Sequence, residues 1–370
     1  MLELAACPQR KCGVESVMNK KIFVVGSSGA VGSVVAARLA SSFPGRVLLG
    51  GRNFNRIQAL ADKLNRAVAV SRFDANNPRE WGTLDDVGCV IVCMDLNGTG
   101  FVERCLKLGI RYVDVSASNE QLKLIKALAP QARANSTTAV LSVGLAPGLT
   151  NLLAKHACQK IGTPARIRIN ILLGLGEKHG KAAIGWTLRN LARPWSISRN
   201  GVVHPVESFT DPEDVSFPQP IGRRRAYLFN FPEQHTLPET LAVDDVETRL
   251  CFDSRFFTSL FAVLKKVELF RLLRWQPLEQ RAVELFHSVH LGSDIFAVHV
   301  VAVRQVKSEL VRAECSVWGQ NEALMTGSVA ANVVRLLEHS TKPPGVFHIE
   351  ELFDLDEFTQ QMGLECHWNL

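Results

Sequence analysis

Gly26, Gly29 and Gly32 recur at a spacing of three within VVGSSGAVGSVVAARLA (24–40), directly after a short apolar run. At the junction of a strand and a helix, glycines in this register have separate tasks. The first permits a tight turn, the second lets backbone approach a pyrophosphate, and the third lets the helix pack closely on the strand. The helix N-terminus then presents unbonded N–H groups to the anion. A flexible hinge needs none of this register, so the stretch reads as a dinucleotide cradle.

The next chemistry-bearing place is the end of the second apolar run, LLGGRNFNRIQAL. A cofactor without a 2′-phosphate is usually met there by Asp or Glu, which accepts from the ribose hydroxyls. Here the chain has Gly51, Arg52 and Asn53. An arginine cannot accept from a hydroxyl, whereas its planar fork matches a phosphate. The pattern therefore favours NADP over NAD, with Arg52 and Asn53 at the cofactor; the alternative is a solvated arginine at a helix start. Asp74 in SRFDANN is suited either to accept from an adenine amino group or to cap the helix that follows. Asn97 in MDLNGTG falls where a nicotinamide ribose would lie, although loop chemistry also accounts for it.

These residues need a frame. From Lys21 to about Gly144, β-branched runs alternate with amphipathic segments (KIFVVG, RVLLGG, AVAVSRF, CVIVCM, IRYVDVS and TAVLSVG), the pattern of βαβ units. Six such strands predict a doubly wound parallel Rossmann sheet. After Pro147 comes one helix (150–160), then long alternating runs, ARIRINILL, DIFAVHVVAV and VRAECSVW, that read as a mixed or antiparallel sheet. The run 256–275 reads as one apolar helix packed on the second domain, with a membrane-surface helix as the alternative. EALMTGSVAANVVRLLEHS (322–340) is an amphipathic helix, and GVFHIEELFDLDEFTQQM reads by periodicity as another. The expected class is α/β, a Rossmann sheet with an inserted α+β domain built on a mixed sheet. Expected limits are a leader at 1–18, a cofactor domain at 19–150, a substrate and dimerisation domain at 151–321, and a C-terminal return to the first domain at 322–370.

The bulk numbers agree with two cores: 370 residues, 46% hydrophobic and 21% charged, with no apolar run long enough to cross a bilayer. The net charge of +6 is scattered, so nucleic acid is not implied, while an anionic small molecule suits it. Nine cysteines form no CxxC pair, and several lie in apolar runs, as expected of reduced thiols in a cytoplasmic protein. His287, His290 and His299 lack metal-ligand spacing, and no metal is expected. The first seventeen residues lack a secretory h-region, and a translation start at Met18 is the expectation they raise.

The runs GSSGAVG, GRN, GIRYVDVSA, VGLAPGLTNLLA and GVFHIEEL together resemble the saccharopine dehydrogenase (reductase) family and its oxidoreductase relatives, over Lys21 to about Met362. The resemblance implies a sheet completed by the C-terminal segment, a cleft between the domains as the active site, and a homodimer formed through the central sheet. Carried over by position, Gly26, Ser28, Gly29, Ala30 and Val31 would line the pyrophosphate and Arg52 would meet the 2′-phosphate. Asp114 and Ser116 of YVDVS, with Gly144, Pro147, Gly148 and Asn151 of GLAPGLTN, would face the nicotinamide and the substrate.

The family's reaction is hydride transfer to or from a C=N bond. In EKHGKAAIGWTLRNL (177–191), His179 precedes a helix bearing Trp186 and Arg189; it is the candidate acid or base, with a helix cap as the alternative. Asp114 and Asn151 complete the expected catalytic set. Arg223, Arg224 and Arg225 offer carboxylate partners or form a solvated charge run. A substrate with three carboxylates calls for several placed arginines, yet the second domain carries the apolar run 256–275. A hydrophobic enoyl or carbonyl substrate is therefore the second reading, and a non-catalytic NADPH sensor the third.

Overall fold

The computed structural model describes residues 20–65, 68–82, 84–177, 180–199, 201–288, 292–362 and 365–369. The expected leader and Met18 lie outside the described residues, as do His179 and His290.

The six predicted strands form as β1 (Lys21–Val25), β2 (Val47–Gly51), β3 (Val68–Arg72), β4 (Val87–Val92), β5 (Arg111–Asp114) and β6 (Thr138–Leu141). All pair in parallel, and their order is β6-β5-β4-β1-β2-β3. The order reverses between β1 and β4, which opens a crevice beyond their carboxyl ends. Buried strands flanked by helices need apolar residues on both faces, and every residue of β4 is buried.

The second sheet contains β7 (Arg166–Leu173), β10 (Glu213–Ser216), β11 (Arg223–Leu228), β12 (Asp245–Phe252), β13 (Ile295–Val306), β14 (Glu309–Gln320) and β16 (His367–Asn369), in the order β10-β11-β12-β7-β13-β14-β16. Only the β12–β7 pair is parallel, so the sheet is mixed. A hairpin of β8 (Pro194–Arg199) and β9 (Val202–Glu207) stands beside it.

Two sequence expectations are corrected. The start of GVFHIEEL is not helical by periodicity: β15 (Gly345–His348) pairs in parallel with β6 and completes the first sheet, as the resemblance implied, before the helix at Ile349–Leu352. The run 256–275 is not one helix. Helix Arg255–Lys266 ends before Glu268, whose φ of 58° is left-handed, and a 3₁₀ turn at Leu269–Arg274 leads into helix Gln276–Ser288.

One apolar cluster runs from Ile22 and Leu49 of the first sheet, through Leu149 and Leu152, to Ile169 and Val300 of the second. Helix Thr150–Ile161 is the bridge. Helix Glu322–His339 returns to lie on helix Ala30–Ser42, where a Cβ on Gly327 would come within 2.6 Å of Val34. The two sheets are thus packed as one body around the crevice.

Candidate active site

At the end of β1 the chain folds into the expected cradle. Gly26 has a φ of 80°, and a Cβ there would stand 3.0 Å from the Cys93 carbonyl oxygen. A Cβ on Gly32 would stand 2.2 Å from the Gly26 carbonyl oxygen, so only glycine lets the turn close onto the helix. Gly26 and Ser27 donate their N–H groups to the Gly50 carbonyl at 3.0 and 3.1 Å, which ties the turn to β2. Gly29 is the N-cap of helix Ala30–Ser42, and no side chain caps it or places an acid in its first turn. An uncapped helix start that points at a crevice is an anion site in waiting, and the cradle fits the pyrophosphate of a dinucleotide.

The other residues expected at the cofactor lie around the same edge. Arg52 is exposed at the end of β2. Asn53 accepts from Arg56 N–H at 3.1 Å and caps helix Phe54–Lys63. Asp74 accepts from Asn76 N–H at 3.0 Å, so its carboxylate shapes a turn; Asn76 in turn accepts from Asn97 N–H at 2.7 Å. Asp74 and Asn97 therefore belong to one loop network on the cofactor side of the sheet. Ser28 is half-buried in the cradle.

From this edge a cavity of about 460 Å³ extends into the second domain. Its floor is formed by Gly29, Ala30 and Val31, by Cys93, Met94 and Asp95 after β4, by Ser116 after β5, and by Gly144 after β6. Its far wall is apolar: Leu173, Leu250, Phe252, Phe257, Phe261 and Phe286. Trp186 lines it too, donating its indole N–H to the Ala117 carbonyl at 3.0 Å and so joining the two domains across the cleft.

The titratable lining groups are Asp95, Glu177, Glu322, Lys181 and His287. Glu177 accepts from the N–H groups of Glu322 and Ala323 at 2.6 and 2.9 Å, capping helix Glu322–His339 from the second domain. The Lys181 ammonium is held by Glu284 at 2.5 Å. Among the described residues no arginine lines the cavity. Arg223 pairs with Asp214 on β10 instead, and Arg166, Arg168, Arg199 and Arg249 form a separate ion-pair cluster with Asp211, Asp245 and Glu247.

Two of the expected catalytic residues lie beneath the cavity rather than in it. Asp114 is 1% exposed; it accepts from the Tyr112 hydroxyl at 2.5 Å and from Ser116 N–H at 2.7 Å. Burial pushes its carboxyl up to about 6, against the lowering effect of those two hydrogen bonds. Asn151 is fully buried; it accepts from Gly148 N–H at 3.0 Å and donates to Glu350 at 3.0 Å. Neither lines the cavity: Asp114 sets the loop that carries Ser116, and Asn151 sets the loop 144–149, where Gly148 has a φ of 139°. His179 falls outside the described residues, two positions from Glu177 and Lys181.

Sequence reasoning missed Glu177, Asp95 and Thr326. Thr326 lines the cavity and accepts from Leu145 N–H at 3.2 Å. Glu177 and Thr326 gain their places from partners far along the chain, and no local pattern marks that. The apolar wall had a local signal, the run at 256–275, though Phe286 lies beyond it.

Residues 22–140 match the family described as Saccharopine dehydrogenase NADP binding domain. No curated protein matches the chain in sequence. Among solved structures, an apo saccharopine dehydrogenase (L-Glu forming) from Saccharomyces cerevisiae shares the fold with a TM-score of 0.67 at 12% identity, over 95% of this chain and 100% of that one. A C. glutamicum DAP dehydrogenase in complex with DAP aligns over 91% of this chain and 94% of its own, at a TM-score of 0.45 and 14% identity. The glycine cradle lies within the segment that matches a saccharopine dehydrogenase NADP binding domain, and the chain as a whole shares the fold of a solved saccharopine dehydrogenase.

Proposed function

We propose that the cleft transfers a hydride between NADP and the carbon of a C=N bond whose substituents are largely apolar. The observation that carries this reading is the single cavity, with the dinucleotide cradle at one end and a wall of phenylalanine and leucine at the other. Bound NADP(H) supplies the hydride chemistry, so the chain's own tasks are to bind, align and exclude water. Gly26 to Gly32 and the helix start hold the pyrophosphate, and Arg52 meets the 2′-phosphate. Ser116 and Gly144, in loops set by Asp114 and Asn151, face the reacting end. Leu173, Phe252 and Phe261 exclude water from it.

Three carboxylates in the lining favour a substrate that is cationic as an amine or iminium, and the absence of lining arginines among the described residues argues against one with several carboxylates. Lys181 and His287 bring nitrogen donors to the lining. The apolar wall alone also suits an enoyl or carbonyl compound, which is the second reading. Cytoplasmic residence and a homodimer built on the second sheet belong to the same proposal.

The test is turnover followed by NADPH absorbance, on a panel of imines, ketones and enoyl compounds with alkyl or aryl substituents, beside imines of dicarboxylic amino acids. Oxidation with the apolar imines is expected. Turnover confined to the dicarboxylic adducts would overturn the reading, turnover confined to enoyl or carbonyl compounds would install the second, and NADPH binding without turnover across the panel would favour a sensor.

A further inference from the structure

Eight of the nineteen large apolar side chains exposed among the described residues fall between Phe256 and Phe286. Isolated exposed apolar residues are ordinary, but such a concentration marks an interaction surface. Helix Arg255–Lys266 turns Thr258, Phe261 and Lys265 inward, yet its other face is apolar as well, with Phe256 69% and Val263 57% exposed. On either side of the left-handed Glu268, Val267, Leu269, Leu272 and Trp275 are between 46% and 64% exposed.

The charge on the same segment has one sign in surplus. Residues 255–288 hold six Lys and Arg against three Glu. Each glutamate is matched by a cation: Glu268 by Arg271, Glu279 by Arg189 and Glu284 by Lys181. Arg255, Lys266, Arg274 and Arg281 are exposed beside the apolar residues.

We propose that the segment 255–288 is a docking surface for a phospholipid bilayer that contains anionic lipid. Side chains such as Phe256, Leu272 and Trp275 enter the boundary between headgroups and acyl chains, and the basic residues meet the phosphates. Binding of this kind grows with buried apolar area and with attraction of cations to anionic lipid, and tryptophan favours that boundary. A second copy of the chain fits less well, because self-complementary contact would set the cationic surplus against itself. No described helix is long and apolar enough to cross a membrane, so the segment lies on the surface. Its inner side supplies Phe257, Phe261 and Phe286 to the cavity wall, which makes the apolar chamber and the apolar exterior two faces of one helical layer.

The test is co-sedimentation of the full chain with phosphatidylcholine vesicles, with and without phosphatidylserine. It needs neither substrate nor cofactor, so it stands or falls apart from the proposed reaction. The wild type is expected to pellet with the phosphatidylserine vesicles and to be released by salt. The variant Phe256→Ser/Leu272→Ser/Trp275→Ser should lose at least about tenfold in partitioning, with its circular-dichroism melting curve unchanged because all three side chains are exposed. Lys266→Glu should weaken the preference for phosphatidylserine. A wild type that stays in the supernatant with both vesicle types would overturn the proposal. So would a wild-type dimer that the triple variant converts to monomer, since the face would then belong to a second copy.

Discussion

At the scale of single residues, the proposed preference for NADP at the cradle rests on Arg52. It stands exposed at the carboxyl end of β2, where an acidic residue would serve NAD. Losing a charged hydrogen bond to phosphate costs about 1.5 to 3 kcal/mol, so Arg52→Ala should weaken NADPH binding by roughly ten- to a hundredfold and leave NADH binding unchanged. Calorimetric titration of both cofactors checks this, and an unchanged NADPH affinity would remove Arg52 from the site. The glycine turn was legible because its task is local, set by the close approach of backbone at Gly26 and Gly32. Asp114 and Asn151 show the limit. Both motifs were visible, but whether a carboxylate or an amide faces a cavity depends on what packs above it. Here that is Tyr112 and Ser116 for Asp114, and Gly148 and Glu350 for Asn151.

At the scale of elements, the junction between the domains is held by buried polar contacts. Thr150 donates to Glu233 at 2.5 Å, and Thr240 donates to Glu350 at 2.8 Å, so the bridging helix, the second domain and the C-terminal segment meet around two carboxyls. Burial pushes both carboxyls up from 4.5 to about 7. Between those values the folded state holds protons that the unfolded chain has lost. Their contribution to stability is therefore full below about 4.5 and falls as pH rises through about 7. Thermal unfolding across that window should show a decline that Glu350→Gln, permanently neutral, makes shallower; parallel profiles for wild type and variant would contradict it. The six strands of the first sheet were legible because buried parallel strands must be continuous apolar runs. The strand Gly345–His348 is too short to show a period and is recruited by β6. The break at Glu268 went unseen because apolar residues on both sides of the helix masked its end.

At the scale of the whole molecule, one continuous core joins the sheets, so a ligand that binds the cradle stabilises the entire fold by mass action. The mixed second sheet was legible in its long strands β7, β13 and β14, but not in β10 and β11, whose short polar runs gain their pairing only from the assembled sheet. The cavity was legible only as the interdomain cleft that the resemblance implied and, in part of its wall, as the run 256–275; the rest of its lining is gathered from both domains. The most direct measurement of the central claim is thermal unfolding of the full chain against increasing NADPH and NADH. The account predicts a midpoint that climbs with NADPH, by about 2.7 kcal/mol of stabilisation at a hundredfold excess over the dissociation constant, and climbs far less with NADH at equal concentration. Equal stabilisation by the two would contradict the NADP assignment at Arg52, and stabilisation by neither would contradict the cofactor cradle itself.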